Sequence, residues 1–287
     1  MNHPNFHILK RQSSRSRFKT LGEKMKKTII AAIVVLVIVI AAVGIYFTVL
    51  DKDDKDKNEI TFLVEDDQGV YFWIKGTGET AKDAFIDAAE KSSVDYDHSI
   101  GSGLVLTKIN NLANSSSLKW TLFVYDDGKW TKTSDDMAVI VSENHDYLAW
   151  FFVNNNGDLP DDLPDVKDAK VWNKDSTSGT VFTIASQSGL YFRINGVSDV
   201  SLIKAFNNAC ANYKVPLVNS HHDMGEGIDE LFGYGWDSVS GKFWAQYHIE
   251  NGAWETSQLG MSSLLSKDHS KYLVYFSLYG DHPTIPI

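Results

Sequence analysis

The stretch WTLFVYDDGKW, Trp120 to Trp130, is written almost again as WAQYHIENGAW, Trp244 to Trp254. In both, Trp is followed by seven residues, a Gly, one residue and a second Trp, with an acid or amide immediately before the Gly. An Asp-Gly or Asn-Gly pair between alternating apolar residues is a strong tight-turn signal, so each copy reads as a strand running into a turn. Working outward, TFLVEDDQGVYFWIKG (Thr61 to Gly76) aligns without gaps to VFTIASQSGLYFRING (Val181 to Gly196), with six of sixteen positions identical. AFIDAA at Ala84 is matched by AFNNAC at Ala205, and SENHDYLAWFF at Ser142 by SKDHSKYLVYF at Ser266 with one insertion. The period of about 120 residues is far too long for a solenoid repeat, so the sequence predicts a tandem domain duplication.

Each copy has the same expected secondary structure. Two strands separated by a Gly turn form a hairpin, and a helix follows. Ala81, Ala84, Phe85 and Ala88 fall at helical spacing behind Thr80 as N-cap, as do Leu202, Ala205, Phe206 and Ala209 behind Ser201. A Gly-rich crossover, the Trp strand, the turn and a final aromatic strand complete the unit. Strand, strand, helix, strand, strand is an α+β layer in which one helix covers one sheet face.

This order resembles the β-grasp-like domain related to the C-terminal domain of transcobalamin, which also occurs alone in microbial surface proteins. The features that carry the resemblance are the first strand, the TAKDAF-type helix and the Gly-rich turn before Ile109-Asn110-Asn111. The Trp strand with its Asn/Asp-Gly turn and the closing hydrophobic strand complete it. The resemblance implies an extracytoplasmic binding module and, by analogy with the cobalamin carriers, capture of a corrinoid. No other cofactor is expected.

Thr28 to Leu50 runs 23 residues without a charge, and a helix of that length crosses a bilayer core of about 30 Å. Residues 1–27 hold eight Lys and Arg against Glu23 alone, a net of +7, whereas residues 28–287 hold nineteen basic and thirty-six acidic residues, a net of −17. The positive-inside bias places the N-terminus in the cytoplasm and the acidic body outside the cell. Such a body disfavours nucleic acid as a partner. Met25-Lys26-Lys27 also reads as the natural start of an export signal, which would leave residues 1–24 untranslated.

The expected organisation is a basic cytoplasmic segment at 1–27, a single transmembrane helix at 28–50, a charged stalk at 51–59, β-grasp-like repeats at 60–153 and 180–278, a linker at 154–179 and a tail at 279–287. The linker, rich in Asn, Asp and Pro without apolar periodicity, reads as an exposed tether.

No Ser nucleophile elbow, HExxH or phosphate loop is written in the chain, and Cys210 is its only cysteine, so catalysis and disulfides are not expected. HHDMGE, His221 to Glu226, has metal-ligand residue types without a third ligand at a characteristic spacing, and a solvated loop is expected there instead. Strand alternation puts Phe72 and Ile74, and Phe192 and Ile194, on the helix-covered side. Taking Phe243, Ala245, Tyr247 and Ile249 as the core row of the Trp strand leaves Tyr191, Arg193, Trp244, Gln246 and His248 on the uncovered face. These five are the candidate binding residues for an unknown small molecule or cell-surface protein. The expected function is therefore non-catalytic binding from a membrane anchor, with corrinoid capture and a structural or adhesive envelope role as alternatives.

Overall fold

The computed structural model describes residues 58–99, 104–176, 178–222, 225–281 and 283–287. Among them no helix is long and apolar enough to cross a membrane; the charge-free run at 28–50 lies outside the described residues. The two repeats fall within one compact unit, Asp56–Ile287, of mixed α+β structure.

Repeat 1 contains β1 (Glu59–Glu65), β2 (Tyr71–Thr77), α1 (Ala81–Ser92), β3 (Tyr96–His98), β4 (Leu106–Ile109), β5 (Leu112–Ala113), β6 (Leu118–Asp126), β7 (Lys129–Lys132) and β8 (Tyr147–Asn154). Repeat 2 contains β9 (Thr180–Ala185), β10 (Tyr191–Gly196), α2 (Leu202–Tyr213), β11 (Leu217–His222), β12 (Gly225–Leu231), β13 (Phe243–Glu250), β14 (Ala253–Thr256) and β15 (Lys271–Ser277). The main sheets have equivalent orders, β2-β1-β8-β6-β7 and β10-β9-β15-β13-β14. In each, the first and last strands of the repeat run parallel at the centre and every other pairing is antiparallel. The repeat is thus larger than four strands. The Asp127-Gly128 and Asn251-Gly252 turns, with φ near 50° and 80° at the two positions, lead into the short edge strands β7 and β14 rather than directly into the closing strand. The crossover also builds its own small sheet, β3-β4-β5 in one repeat and β11-β12 in the other.

The helices form where the caps and spacing require. Thr80 and Ser201 accept from the amides of Asp83 and Lys204, and Ser93 and Lys214 close the C-termini in the left-handed region. Each helix lies so close to its sheet that a Cβ on Gly76 or Gly196 would collide with the carbonyl oxygen of Ala84 or Ala205. That explains the shared glycine at the end of the hairpin: helix–strand distance, not backbone freedom, demands it.

Both helix-side faces run into a single core. Phe62, Val64, Phe72 and Ile74 pack with Phe182, Ile184, Phe192 and Ile194 and with the apolar faces of α1 and α2. Phe72 and Phe192 occupy the same repeat position and stack on each other, ring centroids 5.5 Å apart and planes 13° off parallel. Each repeat also reaches the helix C-terminus of the other. The Arg193 Nη1 donates to the Ser93 carbonyl after α1, and the Tyr71 hydroxyl donates to the Lys214 carbonyl after α2. Equivalent residues meet as they do across a two-fold axis.

The segment after β8 is not a free tether. Val166, in a short 3-10 turn (Val166–Asp168), is buried with Leu163, Ala169 and Val171 against Trp73 and Phe151 on the outer face of the first sheet. Trp172 is buried as well. On the second sheet Ile285 of the tail plays the same part, packing with Tyr191, Tyr247 and Trp254.

The shared core predicts one cooperative unfolding transition for both repeats. Phe192→Ala should cost about 3–5 kcal/mol and lower the midpoint of the whole unit rather than of repeat 2 alone. Differential scanning calorimetry checks this, and two separable transitions would show independent repeats.

Candidate functional site

The five residues singled out in the sequence do not share a face. Tyr191 and Arg193 project from β10 on the outer side of the second sheet, where the Arg193 guanidinium carbon lies 5.6 Å from the Tyr191 ring centroid. Trp244 belongs instead to the shared core, its ring 5.1 Å from that of Phe276 and its Nε1 donating to the Tyr234 carbonyl at 2.6 Å. Gln246 accepts from the Met261 amide and the Tyr272 hydroxyl, and His248 lies 3.7 Å from the Glu250 carboxylate and beside His269. The alternation of β13 is as expected, but its apolar row, Phe243, Ala245, Tyr247 and Ile249, faces outward beneath the tail. Both sides of this strand are buried, so apolarity alone did not mark the helix side.

The Trp pairs of the two copies acquire matching roles. Trp120 donates to the Leu112 carbonyl as Trp244 does to that of Tyr234, so each first Trp ties the crossover to the core. Trp130 and Trp254 pack on the outer faces, where the Trp254 indole donates to the Ile285 carbonyl.

Tyr191 and Arg193 border an open cleft of about 470 Å³ between the end of α1 and the outer edge of the second sheet. Arg193 bridges the repeats by donating to the carbonyls of Ser93 and Pro286 at 3.0 and 3.3 Å. The Tyr191 hydroxyl donates to Asp95 at 3.3 Å, its carbonyl accepts from Asn110 Nδ2, and burial beside Asp95 pushes its phenol up to about 12. Lys271 borders the cleft, as does Lys174, which is paired with Glu90 at 3.3 Å, and the buried Trp172 indole N–H finds no acceptor among the described residues. The cleft is thus lined by charges of both signs, Lys174, Arg193 and Lys271 with Glu90 and Asp95, beside the aromatic rings of Tyr191 and Trp172, a mixed lining of the kind that small-molecule sites use.

Across the pseudo-two-fold the same position is occupied by an apolar ring. Trp73 stands where repeat 2 has Arg193, and it is buried against Tyr147 and bridged to Val171 of the inter-repeat segment. Trp73 and Arg193 also border one narrow pocket between the repeats, together with Phe72, Phe192 and Tyr213.

Elsewhere the titratable chemistry is subdued. Cys210 is buried in the α2 face, where burial pushes its thiol up and keeps it protonated. His221 and Glu226 of the HHDMGE stretch lie opposite each other on β11 and β12, not on an irregular loop, while the side chains of residues 222–225 lie outside the described residues. Among the described residues no group of three His, Cys, Asp or Glu is arranged to hold a metal ion.

Glu65, at the end of β1, is a residue that sequence reasoning did not single out. It is 1% exposed and neither carboxyl oxygen has a partner among the described residues, whereas the adjacent Asp66 accepts from two backbone amides and from the hydroxyls of Ser186 and Ser188 across the junction. Burial first, and Asp66 second, push Glu65 up to about 8. Comparison with family models, with curated proteins and with solved structures returns no match for this chain.

Two outcomes follow from this arrangement. Trp244→Ala should cost about 3–5 kcal/mol of stability, a penalty comparable to that of Phe192→Ala, as read from paired denaturation curves. Glu65 is neutral when folded and ionises above 4.5 when unfolded, so its contribution to stability declines as pH rises from 4.5 to about 8 and is flat beyond. Glu65→Gln should remove that decline, gaining a few kcal/mol relative to wild type near the upper end at about 1.4 kcal/mol per pH unit. Urea unfolding across this pH range checks it.

Proposed function

We propose that this chain is a non-catalytic, membrane-anchored binding protein whose two β-grasp-like repeats act together to form one ligand cleft. The anchor reading rests on the charge-free run at 28–50 and the +7/−17 asymmetry around it. The β-grasp-like reading is supported by the strand order in each main sheet, with its central parallel pair and single covering helix. The observation that carries the binding reading is the open cleft beside the junction, to which α1, the inter-repeat segment and the second sheet all contribute and which Arg193, Tyr191 and Lys271 border. The duplication is then read as supplying two walls of one site rather than two separate sites. The cleft's size and polar lining favour a small polar metabolite over a corrinoid.

The test is a thermal-shift screen of residues 56–287 against small carboxylates, phosphates and amino acids. A ligand at a hundred times its Kd adds about 2.7 kcal/mol of stability. At least one compound is expected to stabilise the wild type and not Arg193→Ala. A shift retained in Arg193→Ala places the ligand elsewhere, and a corrinoid absorption band in the purified protein would restore the carrier analogy. Protease added to intact cells should digest the acidic body; its survival until lysis would reverse the topology.

A further inference from the structure

The connection into the Trp strand is short in repeat 1 (residues 114–117) and long in repeat 2 (residues 232–242). The long version displays apolar side chains. Trp236 is 73% exposed and Val239 95%, and Leu278, itself 42% exposed, lies near Gly241 and next in sequence to Tyr279 at 63%. Loose structure does not account for this exposure. Asp237 caps the turn by accepting from the Val239 amide and the Ser240 hydroxyl, the Gly241 amide donates to the Asp237 carbonyl, and the Trp244 indole holds the base of the loop at Tyr234. A hydrogen-bonded loop that holds a Trp in water leaves apolar surface exposed without burying it, as interaction sites do.

Between this loop and β12 runs an open groove of about 640 Å³, lined by Ile228, Asp229, Glu230, Gly235, Trp236 and Phe243. Glu230, whose side chain lies beside Gly235, and the aromatic residues Trp236 and Phe243 contribute to it. The Asp229 carboxylate accepts from the Ser220 hydroxyl, and among the described residues no Lys, Arg or His lines the groove. An indole face attracts a cation, and a carboxylate beside it adds a charge-assisted hydrogen bond. The net charge of −17 beyond the basic segment steers cations toward such a groove. Ile228, Trp236 and Phe243 in the lining present a footprint wider than a lone ammonium ion needs. We infer that the Trp236 groove docks a protein segment in which a Lys or Arg side chain is flanked by apolar residues. This surface is separate from the Arg193 cleft and does not depend on it.

The test pans a random dodecapeptide phage library against the full-length chain in detergent, with counter-selection on Trp236→Ala. The expected winners carry Lys or Arg beside apolar residues. A synthetic winner should bind Trp236→Ala roughly tenfold or more weakly, weaken also on Glu230→Gln and with added salt, and bind Arg193→Ala as it binds wild type. Circular dichroism should show all three variants folded, since Trp236 and Glu230 are exposed and Arg193 is half-buried. Failure to enrich any Trp236-dependent peptide overturns the proposal, as does enrichment of acidic ones. So does Trp236-dependent binding to phosphatidylcholine vesicles in place of peptides, which would make the patch a membrane contact.

Discussion

A sheet has two faces, and a single helix covers only one of them. Much of this molecule's architecture follows from that constraint. The helix-side faces of the two sheets merge through Phe72 and Phe192 into one core, and the outer faces must be sealed by other means. The chain uses what lies beyond each closing strand: the inter-repeat segment with Leu163, Val166 and Val171 over the first sheet, and the tail with Ile285 over the second. Each repeat is thus a three-layer unit, helix, sheet and strap, although its regular secondary structure has only two layers.

The strap also explains the duplicated Trp element. The first Trp of each copy faces inward and ties the crossover to the core, and the second faces outward and supports the strap. An element serving both faces of a sheet cannot be trimmed to a simple polar and apolar alternation. It recurs because both repeats face the same covering problem.

The duplication, the helices with their caps, the Gly turns and the Phe72/Phe192 face were legible in the sequence because each is written in the local pattern of one repeat, even where, as at Phe72 and Phe192, the packing is between repeats. The placement of Trp244, Gln246 and His248 was not. Inferring it required knowing that the tail buries Tyr247 and Ala245 from the outside, and nothing local to β13 encodes that. The inter-repeat segment was misleading for a related reason: its acids and prolines dominate its composition, while a few spaced apolar residues do the packing. Glu65 gave no local signal either, because a carboxylate in a strand pattern normally marks a solvated edge.

The near-symmetry of the junction has a consequence of its own. Were the two repeats separate, identical chains, every residue at the axis would be present twice, and a Trp that closes one side would close both. Covalent fusion removes that bond between the halves. Position 73 can hold a buried indole while position 193 holds a guanidinium at the edge of an open cleft, so one joint carries two different chemistries.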